Sequence, residues 1–353
     1  MSLLKNSTIV MSGVVATNIF AYGFHFIAAR MLGPDAYGEF GALIALLLMM
    51  ILPAGAIGAA ITKYTARYSA DNQNGKITIL RNKIQKNVLV ISGIILLIII
   101  AFSKIIADYM KIPSVIPIII IGFSMVFALL LPINRGVLQG LKMFQVLSIN
   151  SVLEAFIRIL LLAALLFNGL GVNGALISYG LSSLVAFFII FPYLKGPKNE
   201  ITEYNAIEIK PIYRFAFHVF IITIVLQSIQ NIPSIFIKHY YTDEFTGNWT
   251  AALNLARLSL FITGAISSVM FPEIVREKEV HVKRKIFYKA TLLVCLVTSA
   301  MAIIFIFLPE LLIKMLYGKD YLEAVPILKW MGFAMIPFGL LQLRMDYFLA
   351  SLK

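Results

Sequence analysis

Long apolar runs separated by short polar gaps organise the whole chain. Ten runs are long enough to cross a bilayer core of about 30 Å, which takes about 20 helical residues. They lie near 7–29, 40–62, 87–106, 115–134, 148–167, 174–193, 215–237, 247–270, 286–307 and 324–346. A membrane β-barrel would instead show strands of about ten residues alternating with period two. Stretches such as "VLVISGIILLIIIAF" are unbroken. The pattern therefore predicts an all-α integral membrane protein of about ten transmembrane helices, built as a helical bundle.

Composition agrees with this reading. Hydrophobic residues make up 60 % of the 353 residues and charged residues 13 %, and the mean hydropathy is +0.90. A soluble globular chain carries about 45–50 % apolar and about 25 % charged residues. The net charge of +13 comes from residues in the gaps rather than from one basic face, so it points to membrane orientation and away from nucleic acid. Nineteen Lys and Arg residues fall on one side of the expected spans, in the gaps 63–86, 194–214 and 271–285 and at Lys5, Arg135, Lys142 and Lys353. Six fall on the other, at Arg30, Lys104, Lys111, Lys238, Lys314 and Lys319. The richer side is expected to be cytoplasmic, with both termini inside a multi-pass plasma-membrane protein. The first run has no small-residue cleavage site and reads as a retained helix. Cys295 is the lone cysteine, which leaves no internal disulfide and no cysteine-based metal site. There is no phosphate-binding glycine loop, no metal-ligand spacing and no catalytic constellation, so no enzymatic activity and no cofactor are expected.

The chain also repeats itself. A shift of 209 residues lays Tyr37–Arg67 on Thr246–Arg276 without a gap, and Gly38, Ala42, Leu46, Gly55, Ala56, Ile57 and Arg67 meet identical residues. Six runs separate the copies, so both start from the same side. That predicts two lobes in a parallel pseudo-two-fold repeat. The expected division is an N-terminal six-helix lobe at 1–193, a cytoplasmic linker at 194–214, and a C-terminal four-helix lobe at 215–353. Runs seven to ten mirror one to four and nothing mirrors five and six, so a C-terminally truncated chain is expected.

Polar residues inside the runs are the candidates for function. Asn18, Tyr22 and His25 share one helical face, and Gln227, Gln230 and Asn231 lie on the corresponding run of the second lobe. They serve either as interhelical hydrogen bonds or as the lining of a cavity between the lobes. Pro233 is expected to bend that second run. Charges at depth cost at least about 2.5–3.5 kcal/mol near the bilayer centre and usually face a cavity or a partner. Glu154 and Arg158, four residues apart, can neutralise each other. Arg257 lies about ten residues into the eighth run with Asn254 one turn before it, and is the best candidate for meeting an anion. Arg30 ends the first run, either anchoring at the interface or reaching into the outer cavity with Glu39 as a switchable partner. Glu39, Glu154 and Arg158 are the candidates for an ion pair or for H+ or Na+ coupling.

Several of these segments resemble one family. "ARMLGPDAYGEFGAL" after the first run, "NRGVLQGLKMF", "VLEAFIRILLLAALLFNGLGVNGALISYGLSS", "FTGNWTAALNLARL" with "FPEI", and "LYGKDYLEAVPIL" resemble, in order, the polysaccharide biosynthesis (Wzx-type) flippases of the multidrug/oligosaccharidyl-lipid/polysaccharide exporter superfamily. Members usually have 12 or 14 helices in two six-helix lobes. The resemblance implies translocation of a polyprenyl-diphosphate-linked oligosaccharide between leaflets by alternating access, with the glycan carrier and membrane lipid as partners, alongside glycosyltransferases or a polymerase of the same pathway. It also implies a cationic cavity, in which Arg30 followed by Glu39 matches the arginine-then-acid pattern of related lipid-linked precursor flippases. A cation-coupled multidrug exporter and a non-transporting scaffold for glycosyltransferases are the alternatives.

Overall fold

The computed structural model describes residues 2–194, 208–277 and 279–351. Among them the chain forms twelve α-helices and two short 3-10 turns, with no strand. They are α1 Ser2–Met50, α2 Leu52–Ala70, α3 Asn74–Tyr109, α4 Ile116–Gly140, α5 Phe144–Phe167, α6 Gly171–Ile189, α7 Lys210–Tyr240, α8 Asp243–Ala256, α9 Leu258–Arg276, α10 Val280–Phe307, α11 Pro309–Leu316 and α12 Ala324–Ser351. All ten expected spans fall on helix.

Eight described helices are long and apolar enough to cross a membrane, or nine with the bent α7 counted as one span. The apolar part of α1, Met11–Met50, is 40 residues long, about twice what one crossing needs. Gly33 divides it, with φ 74° and ψ 171°, a conformation that a residue bearing a Cβ adopts only with strain. Pro34 follows at once. This break separates the first expected run, on the first half of α1, from the second, which lies on the second half of α1 and the start of α2. The helices also run past the apolar windows. The gap 63–86 is helical except at residues 71–73, because a helix satisfies its own backbone and continues into water, where Lys83 and Lys86 are exposed.

The described helix α7 bends by 45° between Lys210–Ile221 and Thr223–Tyr240. The Thr223 hydroxyl donates back to the Val219 and Phe220 carbonyls, both at 3.0 Å, a contact that bends helices. Pro233, where the sequence predicts the bend, lies within the helix farther along.

Two compact units form. The first holds Met1–Leu32 and Glu39–Tyr240, the second Gly33–Gly38 and Tyr241–Lys353. The linker expected at 194–214 falls mostly on 195–207, outside the described residues, and α7 packs with the first unit, against α2. In that unit α4 is central, touching α2, α3, α5 and α6. Gly136 and Gly140, one turn apart on α4, let α2 approach closely. A Cβ at Gly136 would sit 2.7 Å from the Gly58 carbonyl oxygen, and one at Gly140 would sit 2.6 Å from the Thr65 Cβ. Small residues at this spacing are how membrane helices gain dispersion contact without a hydrophobic driving force between them.

In the second unit α9, α10 and α12 share a core of Met270, Ile274, Val294 and Leu343. Tyr37, Tyr317 and Tyr321 form a second, fully buried cluster there. Burial and the neighbouring Tyr37 push the Tyr321 hydroxyl well above its ordinary pKa, so it stays neutral. Both copies of the internal repeat fold alike, as a long helix interrupted midway: at Ile51 ahead of Pro53 in one, and at Arg257 between α8 and α9 in the other. Large apolar side chains face outward along the spans, among them Leu97, Ile105 and Leu292, as a lipid solvent allows.

Candidate functional site

The densest polar arrangement in the first unit centres on Glu154, midway along α5. The sequence predicts its pairing with Arg158, one turn on, and the two meet at 2.6 Å. A second arginine joins them. Arg135 on α4 donates to the other carboxylate oxygen at 2.7 Å. The Ser183 hydroxyl on α6 donates to Glu154 Oε1 at 2.8 Å. The expected self-neutralised pair is therefore a centre of two guanidiniums and one carboxylate, with a formal excess of one positive charge.

Arg135 was expected at the cytoplasmic edge, where the fourth apolar run ends. The helix α4 instead continues to Gly140, which keeps Arg135 inside it and facing α5. Its Nε donates to Asn150 Oδ1 at 2.9 Å, and Asn150 in turn donates to the Ala186 carbonyl at 2.9 Å. Arg158 Nε donates to the Ser182 hydroxyl at 3.1 Å, and its guanidinium lies 3.9 Å from the centre of the Tyr179 ring. The network thus clamps α4, α5 and α6 together. All three charged side chains are largely buried, at 23 % exposure for Arg135, 14 % for Arg158 and 11 % for Glu154. Glu154 is met on both oxygens, so it is occupied by cations of the protein itself. None of these bonds uses the Nη1 group of either arginine.

Tyr179 links this centre to one of the predicted polar faces. Its ring meets Phe24 edge-on at 5.3 Å and Phe40 at 6.4 Å. His25 packs against the same two rings, at 5.6 Å from Phe24 and 6.2 Å from Phe40. His25 and Arg158, which the sequence separates by more than a hundred residues, thus flank one aromatic box. Tyr22 packs on Phe26, and Asn18 is half-buried on the same helix.

The other candidates are placed as follows. Asn231 is buried and donates to the Gln227 carbonyl at 2.9 Å and to its side-chain oxygen at 3.2 Å; Gln227 and Gln230 are half-buried. Arg30 is exposed and Glu39 half-buried, both in the first unit. Asn254 and Arg257 belong to the second unit. Asn254 is buried and donates to the Tyr37 hydroxyl at 3.0 Å, so its amide is engaged within the unit's own packing. Arg257 is half-buried at the junction of α8 and α9.

Sequence reasoning passed over Arg135, Tyr179, Ser182 and Ser183. It also passed over Lys238, which is fully buried near the end of α7 although counted among the external charges. One signal was available for Arg135: it follows Asn134 on an apolar helix and precedes a GxxxG spacing, which marks a helix that continues and packs closely. Among the described residues no cluster of His, Cys, Asp or Glu could hold a metal ion.

The model of the family described as "polysaccharide biosynthesis protein" matches residues 3–278. An uncharacterized membrane protein of Methanocaldococcus jannaschii is 24 % identical over 303 residues, which cover 81 % of this chain and 71 % of that protein. Among solved structures, an inward-facing multidrug resistance MATE family transporter of the MOP superfamily superposes with a TM-score of 0.74 at 14 % identity, covering 95 % of this chain and 83 % of the other. The lipid II flippase MurJ in an inward closed conformation superposes with a TM-score of 0.69 at 17 % identity, covering 97 % and 76 %. At these identities the likeness establishes the fold alone, one that this chain shares with these two proteins.

Proposed function

The chain belongs to the polysaccharide biosynthesis protein family, and from that premise we propose that it carries a polyprenyl-diphosphate-linked oligosaccharide from the inner to the outer leaflet of the plasma membrane by alternating access. The observation that carries this reading is the polarity of the buried charge. At Arg135, Glu154 and Arg158 two cations surround one carboxylate among α4, α5 and α6. A diphosphate crossing a low-dielectric core is costly, and preformed positive charge lowers that cost. An exporter of organic cations needs the opposite, a carboxylate left for its cargo. Glu154 is held on both oxygens by arginines, which disfavours that alternative.

In this reading Arg257 meets the diphosphate with Arg30 assisting from the outer end, since a guanidinium fork suits phosphate oxygens. Asn18, Tyr22, His25, Gln227 and Gln230 supply hydrogen-bonding groups for sugar hydroxyls. Both termini are cytoplasmic, following the distribution of Lys and Arg. Glycosyltransferases or a polymerase of the same pathway supply or consume the cargo.

The test is restoration of surface polysaccharide in a strain lacking its flippase, normalised to membrane protein level. Arg257→Lys keeps the charge and should retain part of the export. Arg257→Gln should lose most of it while the protein still inserts. Full export by Arg257→Gln would remove Arg257 from the anion site.

A further inference from the structure

Apart from the Glu154 centre, the first unit holds an open pocket of about 490 Å³ lined by Lys63, Tyr64, Glu208, Lys210, Pro211, Arg214, Phe215 and His218. Its size falls in the range of about 300–1,000 Å³ typical of ligand sites. It lies where the basic end of α2 meets the first two turns of α7. Three permanent cations face one carboxylate. The pocket is held in shape from two sides. Lys63 Nζ sits 4.1 Å from the centre of the Phe215 ring, and Asn87 on α3 donates to the Tyr213 hydroxyl at 3.1 Å. His218 Nδ1 lies 2.6 Å from the Arg214 carbonyl oxygen. A carbonyl only accepts, so Nδ1 carries the proton and the bond holds the ring against its own helix.

The surroundings identify the ligand's other end. Phe217, Ile221, Val225 and Ile229 recur every four residues down α7, and all are exposed, at 61 %, 48 %, 51 % and 50 %. That stripe is an apolar track on the outside of the unit, and it begins beside Arg214 and His218. The geometry points to a phospholipid site: acyl chains lie along the α7 stripe, and the phosphate of an anionic headgroup sits among Lys63, Lys210 and Arg214. Phosphate is the matching chemistry because its oxygens accept from several cationic donors at once. A lipid is the matching source because the apolar stripe starts on the same helix within one turn of Arg214 and His218, whereas a soluble phosphate would use the pocket alone. By the distribution of Lys and Arg this is the cytoplasmic leaflet, where anionic lipids attract basic clusters. The site is separate from the proposed cargo contacts and does not depend on them.

The experiment uses the full chain in detergent. Apparent affinities for phosphatidylglycerol, phosphatidylcholine and inorganic pyrophosphate are measured by native mass spectrometry for wild type, for Lys63→Gln/Lys210→Gln/Arg214→Gln, and for a control that removes three exposed charges elsewhere, Lys83→Gln/Lys86→Gln/Lys142→Gln. The pocket variant should lose about a hundredfold in phosphatidylglycerol affinity, at roughly one decade or less per basic residue, and the control less than threefold. Phosphatidylcholine should be unchanged by either, and pyrophosphate should compete only weakly. Equal losses in both variants would mean diffuse charge and overturn the site. Pyrophosphate binding as tight as phosphatidylglycerol would overturn the lipid assignment in favour of a soluble anion. In wild type, a photoactivatable phosphatidylglycerol should label peptides within 210–229; labelling confined to other helices would overturn the proposal without any variant.

Discussion

Replacing Glu154 by Gln should damage the protein more than replacing either arginine that it binds. Glu154 accepts from Arg135 at 2.7 Å, from Arg158 at 2.6 Å and from Ser183 at 2.8 Å. Glu154→Gln leaves two largely buried guanidiniums facing each other without a counter-charge. Breaking a buried pair by removing one partner costs about 3–5 kcal/mol, and here the partner is shared by two cations. Arg158→Gln forfeits two charge-assisted hydrogen bonds, to Glu154 and to Ser182, together about 3–6 kcal/mol, and the Tyr179 ring contact, about 0.5–2 kcal/mol. It also neutralises the excess positive charge, whose cost at the centre of a span is at least about 2.5–3.5 kcal/mol. Glu154 meanwhile keeps Arg135 and Ser183. The net loss for Arg158→Gln should therefore stay below that for Glu154→Gln, which leaves two cations without a counter-charge. A simple two-residue pair would give the opposite expectation, with both single changes equally harmful and the double change restorative. The assay is the midpoint of heat-induced loss of the monodisperse peak on size exclusion in detergent. Glu154→Gln should have the lowest midpoint, with Arg158→Gln and Glu154→Gln/Arg158→Gln both above it. If Arg158→Gln melts at or below Glu154→Gln, the shared-carboxylate reasoning is wrong.

Other consequences follow from packing and orientation. Gly140→Ala should lower the same midpoint by the equivalent of about 1–3 kcal/mol, because its Cβ would lie 2.6 Å from Thr65 and 2.9 Å from the Thr62 carbonyl oxygen. Gly55→Ala, with nothing within 4 Å of the new methyl, should be neutral or stabilising by up to about 1 kcal/mol. Tyr37→Phe should cost about 1–3 kcal/mol by leaving the buried Asn254 amide one acceptor short. With Cys295 replaced, a cysteine at Lys83 should resist impermeant thiol reagents in intact cells while cysteines at Asp243 and Lys319 react; labelling at Lys83 from outside would reverse the orientation.

The helices were legible because a bilayer imposes a length on each apolar run, and each of the ten windows lies on a helix. The helix ends were less legible, since apolar windows mark the hydrocarbon and not the last hydrogen bond; Arg135 was misplaced for this reason. Within one helix the spacing of Glu154 and Arg158 revealed their pairing. Arg135 and Ser183 lie 19 and 29 residues from Glu154 on other helices, and no periodicity states which helices are neighbours. The aromatic box that joins His25 to Arg158 was hidden for the same reason. The bend of α7 was expected at Pro233 because proline is the visible breaker; it falls beside Thr223, whose back-bonding depends on a rotamer that sequence does not show. Repetition fared better: the 209-residue shift marks two helices that both break midway.

The most direct test of the central claim is translocation in proteoliposomes. Purified full-length chain is reconstituted with a fluorescent polyprenyl-diphosphate-linked oligosaccharide, and a membrane-impermeant reagent that destroys the fluorophore is added from outside. The account predicts that protein-containing vesicles lose fluorescence from the inner-leaflet pool over time, that Arg257→Gln slows this loss strongly, and that a polyprenol lacking the diphosphate is not moved by the same route. Retention of the inner-leaflet pool by wild-type protein, with cargo bound but not translocated, would contradict the account and leave a binding scaffold in its place.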